Sequence, residues 1–177
     1  MAINILNRDV KASLEDCERE LANLSSIITT IGDNGKFGSI DPKIKYFTYY
    51  ALIKAYGTIE VSYKSIIASY HNIKTPHLNY YFDKKIMNAT SNATYDNICR
   101  AIGEFSNNWV TQFKNAMLSH PNYDKLVTSL KTLNNNRNNF AHGISNASLT
   151  FASVQNCFAD AVIILEILEE TINKTDL

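Results

Sequence analysis

The chain has 177 residues, is 45% hydrophobic and carries 17 basic and 17 acidic side chains, so its formal net charge is zero. This length and apolar content favour a single domain with a real core over residues 1–177. The balanced charge argues against a general polyanion-binding protein, which normally has a basic isoelectric point. Glycine (6) and proline (3) are scarce, which favours helices over turn-rich β architectures.

Charge and cysteine placement restrict the possibilities further. Residues 42–85 carry seven basic and two acidic side chains, which could guide a nucleic acid, although solvated lysines on a helix surface are the commoner explanation. The cysteines, Cys17, Cys99 and Cys157, form no CxxC motif and lie in apolar patterns, so we interpret them as buried thiols in a reducing cytoplasm. We find neither a signal peptide nor a run of roughly 18 apolar residues, and we expect a cytoplasmic protein without membrane association.

Apolar residues at three- and four-residue steps predict the first helix from about Asp9 to Ile31. The glycine-rich run GDNGKFGS ends this helix. Asp41 as the N-cap and Pro42 at the first helical position open the second helix, which continues to about His71.

The second helix is rich in tyrosine, since eight of the ten tyrosines lie between residues 46 and 81. Tyr49, Ile53, Tyr56 and Tyr63 fall on one predicted face together with Glu60. An aromatic core stripe is the simpler interpretation. The alternative is a set of platforms on which unpaired RNA bases stack.

The remainder of the chain also has helical periodicity. A short helix is expected after Pro76, within HLNYYFDKKIM, and NATSNAT is expected to be a linker or turn. The third main helix is predicted from about Tyr95 to Leu118, and the last helix begins at Thr150 or Ser153. The predicted fold is therefore all-α, an up-and-down bundle of four or five long helices with additional short ones.

The helix before the last contains an arginine in an apolar position. Leu126, Leu130 and Leu133 form one stripe, and the next helical step reaches Arg137, which would point the same way. A buried guanidinium is unfavourable unless it is paired. Either a carboxylate meets it, or this face opens onto a cleft or a second subunit, or the arginine reaches solvent at a helix end.

Arg137 lies in LNNNRNNFAHGIS, and His142 follows it by five residues, or about 140° around an ideal helix. The two would not share a face of one straight helix. Either the helix ends or distorts near Gly143, a plausible terminator, or the site uses residues from two chains. We interpret the five asparagines as weakening the helix end and supplying hydrogen-bonding groups to this face. On spacing alone, a lone histidine near a helix end is more often structural than catalytic.

The segment RNNFAHG resembles the R-x(4–6)-H signature of the HEPN superfamily. Arg137 and His142 supply the two fixed positions, and Asn138 supplies the polar residue that often follows the arginine. LKTLNNNRNNFAHG, followed by a polar turn and a long apolar helix, is similar to the RNA-ligase/phosphatase-associated branch, often called RiboL-PSP-HEPN. AYGTIEVSYKSII resembles the helix of that branch that carries an acidic residue, so the resemblance spans most of the chain.

The resemblance implies a compact helical bundle that forms a homodimer, with the two R-x-H motifs facing each other across the interface. Many such proteins are metal-independent endoribonucleases of toxin–antitoxin, abortive-infection or antiviral defence systems. RNA is then the implied substrate, and an antitoxin or another defence protein is an implied partner. A branch paired with nucleotidyltransferases commonly has a tyrosine two residues after the histidine. Here that position is Ile144, which argues against modification by such a partner.

The chemistry of RNA cleavage agrees with these residues. RNA supplies its own nucleophile, the 2′-hydroxyl, and cleavage needs a base, an acid and positive charge at the phosphate. Histidine, with an ordinary pKa of about 6.5, can act as acid or base, and arginine holds phosphate oxygens while remaining charged. We predict Arg137 and His142 as catalytic residues, with Asn138 orienting the phosphate or the nucleotide. No cofactor is implied, and the histidines show no metal-ligand spacing.

Glu60 interrupts the tyrosine stripe, where an unpaired carboxylate is unfavourable. We expect it to pair with Arg137 or to orient His142, and a half-exposed glutamate at the helix edge is the alternative. Two other functions stay open at this stage: a non-catalytic RNA-binding or protein-interaction module, and a bundle that binds a small ligand among its tyrosines.

Overall fold

The computed structural model describes residues 2–34, 42–70, 80, 83–88, 91–144 and 149–174. The elements are α1 (Arg8–Asn34), α2 (Pro42–Tyr70), a π-helical turn (Asp83–Met87), α3 (Tyr95–Gly103), α4 (Asn107–Ser119), α5 (Tyr123–Ala141) and α6 (Phe151–Lys174). No β-strand occurs among these residues, and the prediction of an all-α bundle is confirmed. Asp41, Pro76 and residues 77–79 and 81–82 of the predicted short helix lie outside the described ranges.

The last helix, α6, is the centre of the bundle. It packs over long interfaces with α2 and α5, and it also contacts α4 and α1. Its predicted apolar face is buried along the whole length: Phe151, Val154, Phe158, Val162, Leu165, Leu168 and Ile172. By length and composition alone this helix could cross a membrane, with a mean hydropathy of 1.6, but half of that window is buried inside the bundle. A core helix meets the same criterion, so packing accounts for its composition.

The tyrosine stripe of α2 lies mainly in the core. Tyr49, Tyr56 and Tyr63 are 7%, 1% and 1% exposed. They contact α5 and the segment before α3: Tyr49 stacks on Phe140, Tyr56 bonds to Asn134 and Ala93, and Tyr63 bonds to Ser91. The core interpretation is confirmed for these three rings, and stacking on RNA bases is excluded for them. Ile53 was assigned to the same face and is instead 41% exposed, beside the exposed ring of Tyr50.

The prediction of one continuous third helix, from about Tyr95 to Leu118, is wrong. The segment is divided into α3 and α4, because Ser106 adopts an extended backbone and its Oγ accepts a hydrogen bond from the N–H of Trp109 (3.3 Å). A serine at this position caps a new helix and competes with continuation of the old one. Gly103 also permits a close approach, since a Cβ there would lie 3.2 Å from Val110 Cγ2.

The first half of α5 is fixed to α6 by a buried polar cluster. Asp160 of α6 is 5% exposed, and its carboxylate accepts hydrogen bonds from Ser129 Oγ (2.6 Å) and Lys125 Nζ (2.8 Å). A buried carboxylate needs such partners to remain charged. This cluster and the buried leucines of α5 set the orientation of the helix.

The cysteines follow the prediction in two of three cases. Cys17 and Cys99 are buried, whereas Cys157 is only partly buried. Burial raises the pKa of all three thiols. A raised pKa lowers the thiolate fraction near neutral pH, so the three thiols are poorly suited to act as nucleophiles.

Candidate active site

Helix α5 ends immediately before the histidine of the R-x4-H motif. Its last residue is Ala141, and His142 is the C-cap. Gly143 has a φ of +73°, a left-handed conformation that glycine adopts without strain. The N–H of Gly143 donates to the carbonyl of Phe140 (3.0 Å), and the N–H of Ile144 donates to that of Asn139 (2.8 Å). This pair of bonds is the Schellman motif, and the prediction that Gly143 terminates the helix is confirmed.

The five asparagines do not interrupt this helix, and the expectation that they weaken its end stays a prediction. α5 continues through all of them to Ala141. Asn134 and Asn136 are buried, and Asn136 Nδ2 donates to the carbonyl of Thr132 (2.8 Å). The sequence also predicts that the asparagines supply hydrogen-bonding groups to this face. This agrees with the structure, because amide side chains lie on a helix face that packs against the bundle.

His142 places its side chain at the surface. The residue is exposed, and its backbone N–H donates to the carbonyls of Asn138 and Asn139 (3.1 Å each). Among the described residues, the imidazole has no hydrogen-bond partner. Its φ of −92° and ψ of 11° lie in the bridge region and not in the helical one, so the chain leaves the helix at this residue.

Arg137 is half-buried and lies against an aromatic ring. Its guanidinium carbon is 5.5 Å from the centre of the Tyr56 ring, and Nη1 donates to Asn138 Oδ1 (3.1 Å). No carboxylate of the described residues lies within ion-pair distance of it. A guanidinium over an aromatic face gains about 0.5–2 kcal/mol, so this contact helps the arginine to remain charged without a counter-ion.

A polar network connects Arg137 to the segment before α3. Asn138 Nδ2 donates to Asn134 Oδ1 (3.4 Å), and the same oxygen accepts a hydrogen bond from the Tyr56 hydroxyl (2.9 Å). The Tyr56 oxygen in turn accepts from the N–H of Ala93 (2.9 Å). Sequence reasoning missed Asn134, although its four-residue spacing from Asn138 places the two side chains on one helix face. Asn138 is therefore hydrogen-bonded to Arg137 and Asn134 of its own chain.

Electrostatics keep the Tyr56 phenol neutral. Burial raises its pKa to about 12, and the negative charge of Glu60 acts in the same direction. The hydrogen bond from Ala93 and the positive charge of Arg137 lower it, with a smaller combined effect. Tyr56 is thus a fixed donor to Asn134 rather than an acid–base group near neutral pH.

The expected ion pair between Glu60 and Arg137 is wrong. Glu60 Oε1 lies 2.9 Å from Lys64 Nζ, one turn along α2, and no hydrogen bond joins Glu60 to His142 among the described residues. A four-residue Glu–Lys spacing favours this pair within a helix. Glu60 acts on Tyr56 only through its charge.

An apolar groove lies beside the end of α5. It is lined by Tyr46, Tyr49, Phe140, Gly143 and Ile144, together with neighbouring residues of α2. The rings of Tyr49 and Phe140 stack with centroids 4.6 Å apart. Tyr46, Phe140 and Ile144 are 75%, 42% and 57% exposed, so a large apolar surface adjoins His142.

Metal ligands are not grouped in the part of the chain that the structure describes: no three His, Cys, Asp or Glu side chains come together there. The side chains that are brought together are instead the guanidinium of Arg137, the Tyr56 ring and the two amides of Asn134 and Asn138.

The helical bundle and the R-x4-H helix end together define a domain of HEPN type. The RiboL-PSP-HEPN family model matches residues 12–174, and the chain belongs to this family. The resemblance found in the sequence is thereby confirmed. No curated protein and no solved structure matches the chain. The family assignment supports a HEPN nuclease or RNA-binding module in general.

Proposed function

We propose that this protein is a metal-independent endoribonuclease that works as a homodimer and uses Arg137 and His142 as catalytic residues. One observation carries the proposal: the end of α5 presents an exposed imidazole close in sequence to a half-buried guanidinium that meets no carboxylate of the described residues. A half-buried charge without a counter-ion is unfavourable for stability. These two groups are also the ones that RNA cleavage requires.

The reaction needs no cofactor to balance. One imidazole takes the proton of the 2′-hydroxyl, and O2′ forms a bond to phosphorus. The bond from phosphorus to O5′ then breaks, and a second imidazolium protonates the leaving oxygen. Arg137 holds the phosphate oxygens, where negative charge develops. The products end in a 2′,3′-cyclic phosphate and a 5′-hydroxyl.

The homodimer is supported by the geometry of α5. Arg137 lies over the Tyr56 ring, whereas His142 caps the end of α5 with an exposed side chain. A second protomer can place the partner's His142 opposite Arg137 and supply the second imidazole. The exposed apolar side chains of Tyr46, Phe140 and Ile144 beside His142 are suited to burial between subunits.

The proposed setting is a cytoplasmic defence or toxin–antitoxin system, in which another protein controls the nuclease. Membership of a HEPN-type family supports this setting. We expect expression of the wild-type protein without its antitoxin to arrest growth. The His142→Ala variant should permit normal growth at equal protein levels.

The decisive experiment incubates purified wild-type protein and His142→Ala with total RNA, with and without EDTA. We expect EDTA to have no effect and His142→Ala to lower the cleavage rate by about 10²–10⁴-fold, as for loss of an acid–base group. His120→Ala is the matched control, because His120 caps α4 at a different place. Cleavage that persists in His142→Ala would refute the proposal. Tight RNA binding without cleavage by the wild type would support the non-catalytic RNA-binding module instead.

A further inference from the structure

A polar pocket, separate from the apolar groove, lies where α2, the π-helical turn and α3 meet. Three basic side chains line it, Lys64 from α2, Lys85 from the π-helical turn and Arg100 from α3. The lining also includes one carboxylate, that of Glu104. Counting also Glu60, which pairs with Lys64, three positive charges face two negative ones. The remaining excess of one positive charge favours anions.

Lys64 is the unusual member of this group, because it is only 4% exposed. Buried ammonium groups are unfavourable unless they are paired. Its Nζ lies 2.9 Å from Glu60 Oε1 and near the ring of Tyr63 (5.9 Å from its centroid). Glu60 thus holds the ammonium at the pocket wall from the α2 side.

Neutral hydrogen-bonding groups complete the lining. Ser91 and Asn97 both border the pocket. The Ser91 hydroxyl is 2.8 Å from the Tyr63 hydroxyl, and Asn97 Oδ1 accepts a hydrogen bond from Arg100 Nη1 (3.2 Å). The Asn97 contact uses one edge of the guanidinium. A guanidinium has five N–H donors in a planar fork that matches the oxygens of a phosphate group.

We propose that this pocket binds a phosphate group. Its volume is about 110 Å³. A space of this size accepts a phosphate group and opens to the surface. Lys64 and Lys85 then supply charge, Arg100 supplies directed donors, and Ser91 and Asn97 supply neutral ones.

The phosphate can come from bound RNA or from a free nucleotide. The RNA source rests on the proposed function, because the pocket then holds the same strand that Arg137 contacts. Tyr56, over which Arg137 lies, and Lys64 are eight residues apart, or about 12 Å along α2. That separation lets one strand reach both places. The free-nucleotide source does not depend on ribonuclease activity.

The test compares two double variants, both made in the His142→Ala background so that RNA stays intact. Lys85→Ala/Arg100→Ala removes two exposed cations of the pocket. Lys84→Ala/Lys131→Ala removes two exposed cations that do not line it. Because all four side chains are exposed, we expect both variants to fold, which circular dichroism and thermal melting check. The probes are a short single-stranded RNA, inorganic phosphate and AMP.

If RNA is the source, RNA binding measured by fluorescence anisotropy weakens at least tenfold in the pocket variant relative to the control. The slope of log affinity against log salt then becomes shallower by about 0.7, the value for one phosphate contact on a single strand. If a free nucleotide is the source, calorimetric binding of AMP and phosphate is lost in the pocket variant while RNA binding is unchanged. Equal affinities of the two variants for all three probes would overturn the inference. Pocket-dependent RNA binding by a wild-type protein that never cuts RNA would support the pocket and refute the ribonuclease.

Discussion

The two halves of α5 hold charged groups in opposite ways. In the first half, Ser129 and Lys125 surround the buried carboxylate of Asp160, so a negative charge inside the bundle meets a cation and a hydroxyl. In the second half, Arg137 meets an aromatic ring and an amide but no carboxylate of the described residues. The first arrangement is closed and stabilises helix packing. The second keeps a permanent cation at a partly open surface, as an anionic ligand requires.

Among the variants that test this contrast within α5, Arg137→Ala has the largest expected effect on cleavage. Arg137→Ala should lower the single-turnover rate of RNA cleavage by about 10²–10³-fold, the loss typical for a group that stabilises transition-state charge. Arg137→Lys should recover only part of this rate, because lysine lacks the planar fork. Quenched-flow or gel assays under RNA-saturating conditions measure the rate, and thermal melting checks the fold. A rate for Arg137→Ala within threefold of wild type would contradict the assignment.

Asp160→Ala should lower the stability of the fold and leave the cleavage rate nearly unchanged, the reverse of Arg137→Ala. Removing the carboxylate leaves the Ser129 hydroxyl buried without its acceptor, and Lys125 loses its ion pair. We expect the free energy of unfolding to fall by about 2–4 kcal/mol, with cleavage per folded molecule within threefold of wild type. Urea denaturation measures the stability. Asp124→Ala is the control for the loss of a carboxylate, because Asp124 is exposed. Its removal should lower the free energy of unfolding by less than about 1 kcal/mol.

Tyr56→Phe should have a moderate effect on both the stability of the fold and the cleavage rate. The ring beneath Arg137 remains, but the Ala93 N–H loses its acceptor and Asn134 Oδ1 keeps only the longer bond from Asn138 Nδ2. We expect a loss of about 1–3 kcal/mol in the free energy of unfolding and less than a tenfold loss in cleavage rate. A tenfold or larger loss with an unchanged unfolding free energy would mean that the hydroxyl contributes to the reaction itself.

Tyr56 should also contribute to the alkaline limit of stability. Its pKa is about 12 in the folded protein against about 10 in an unfolded chain. The neutral phenol therefore stabilises the fold fully below pH 10, and this contribution declines as the pH rises from 10 to 12. It amounts to about 2–3 kcal/mol. Burial also raises the pKa of Tyr63 and Tyr95, so the difference between wild type and Tyr56→Phe in urea titrations isolates this residue.

Glu60→Gln should have little effect on the cleavage rate. Its carboxylate pairs with Lys64 rather than Arg137, so the cleavage rate should stay within threefold of wild type. The same RNA cleavage assay measures this rate, and thermal melting checks that the variant is folded under the assay conditions. A tenfold loss would show that Glu60 acts on the site in the assembled dimer, and it would weaken the contrast between the two halves of α5.

Several local features were predictable because they depend on neighbouring residues. The apolar periodicity of α1, α2 and α6 predicted those helices to within a few residues. Gly143 predicted the end of α5, since a left-handed residue there closes the helix through bonds to its own last turn. The division of the predicted third helix was missed. Its periodicity continues across Ser106, whereas a serine cap and the approach of Gly103 to Val110 act against it.

The sequence by itself determined the helical class and the position of Arg137 on an otherwise apolar face, and it indicated Gly143 as a terminator of α5. It also determined the resemblance to the family that the family model then matched. Only the tertiary structure decided what Arg137 meets. Tyr56 and Asn134 are 78 residues apart in the chain, and helical periodicity tells which face is buried but not which side chain lies opposite. The packing of α2 against α5 made an aromatic ring, and not Glu60, the neighbour of the arginine.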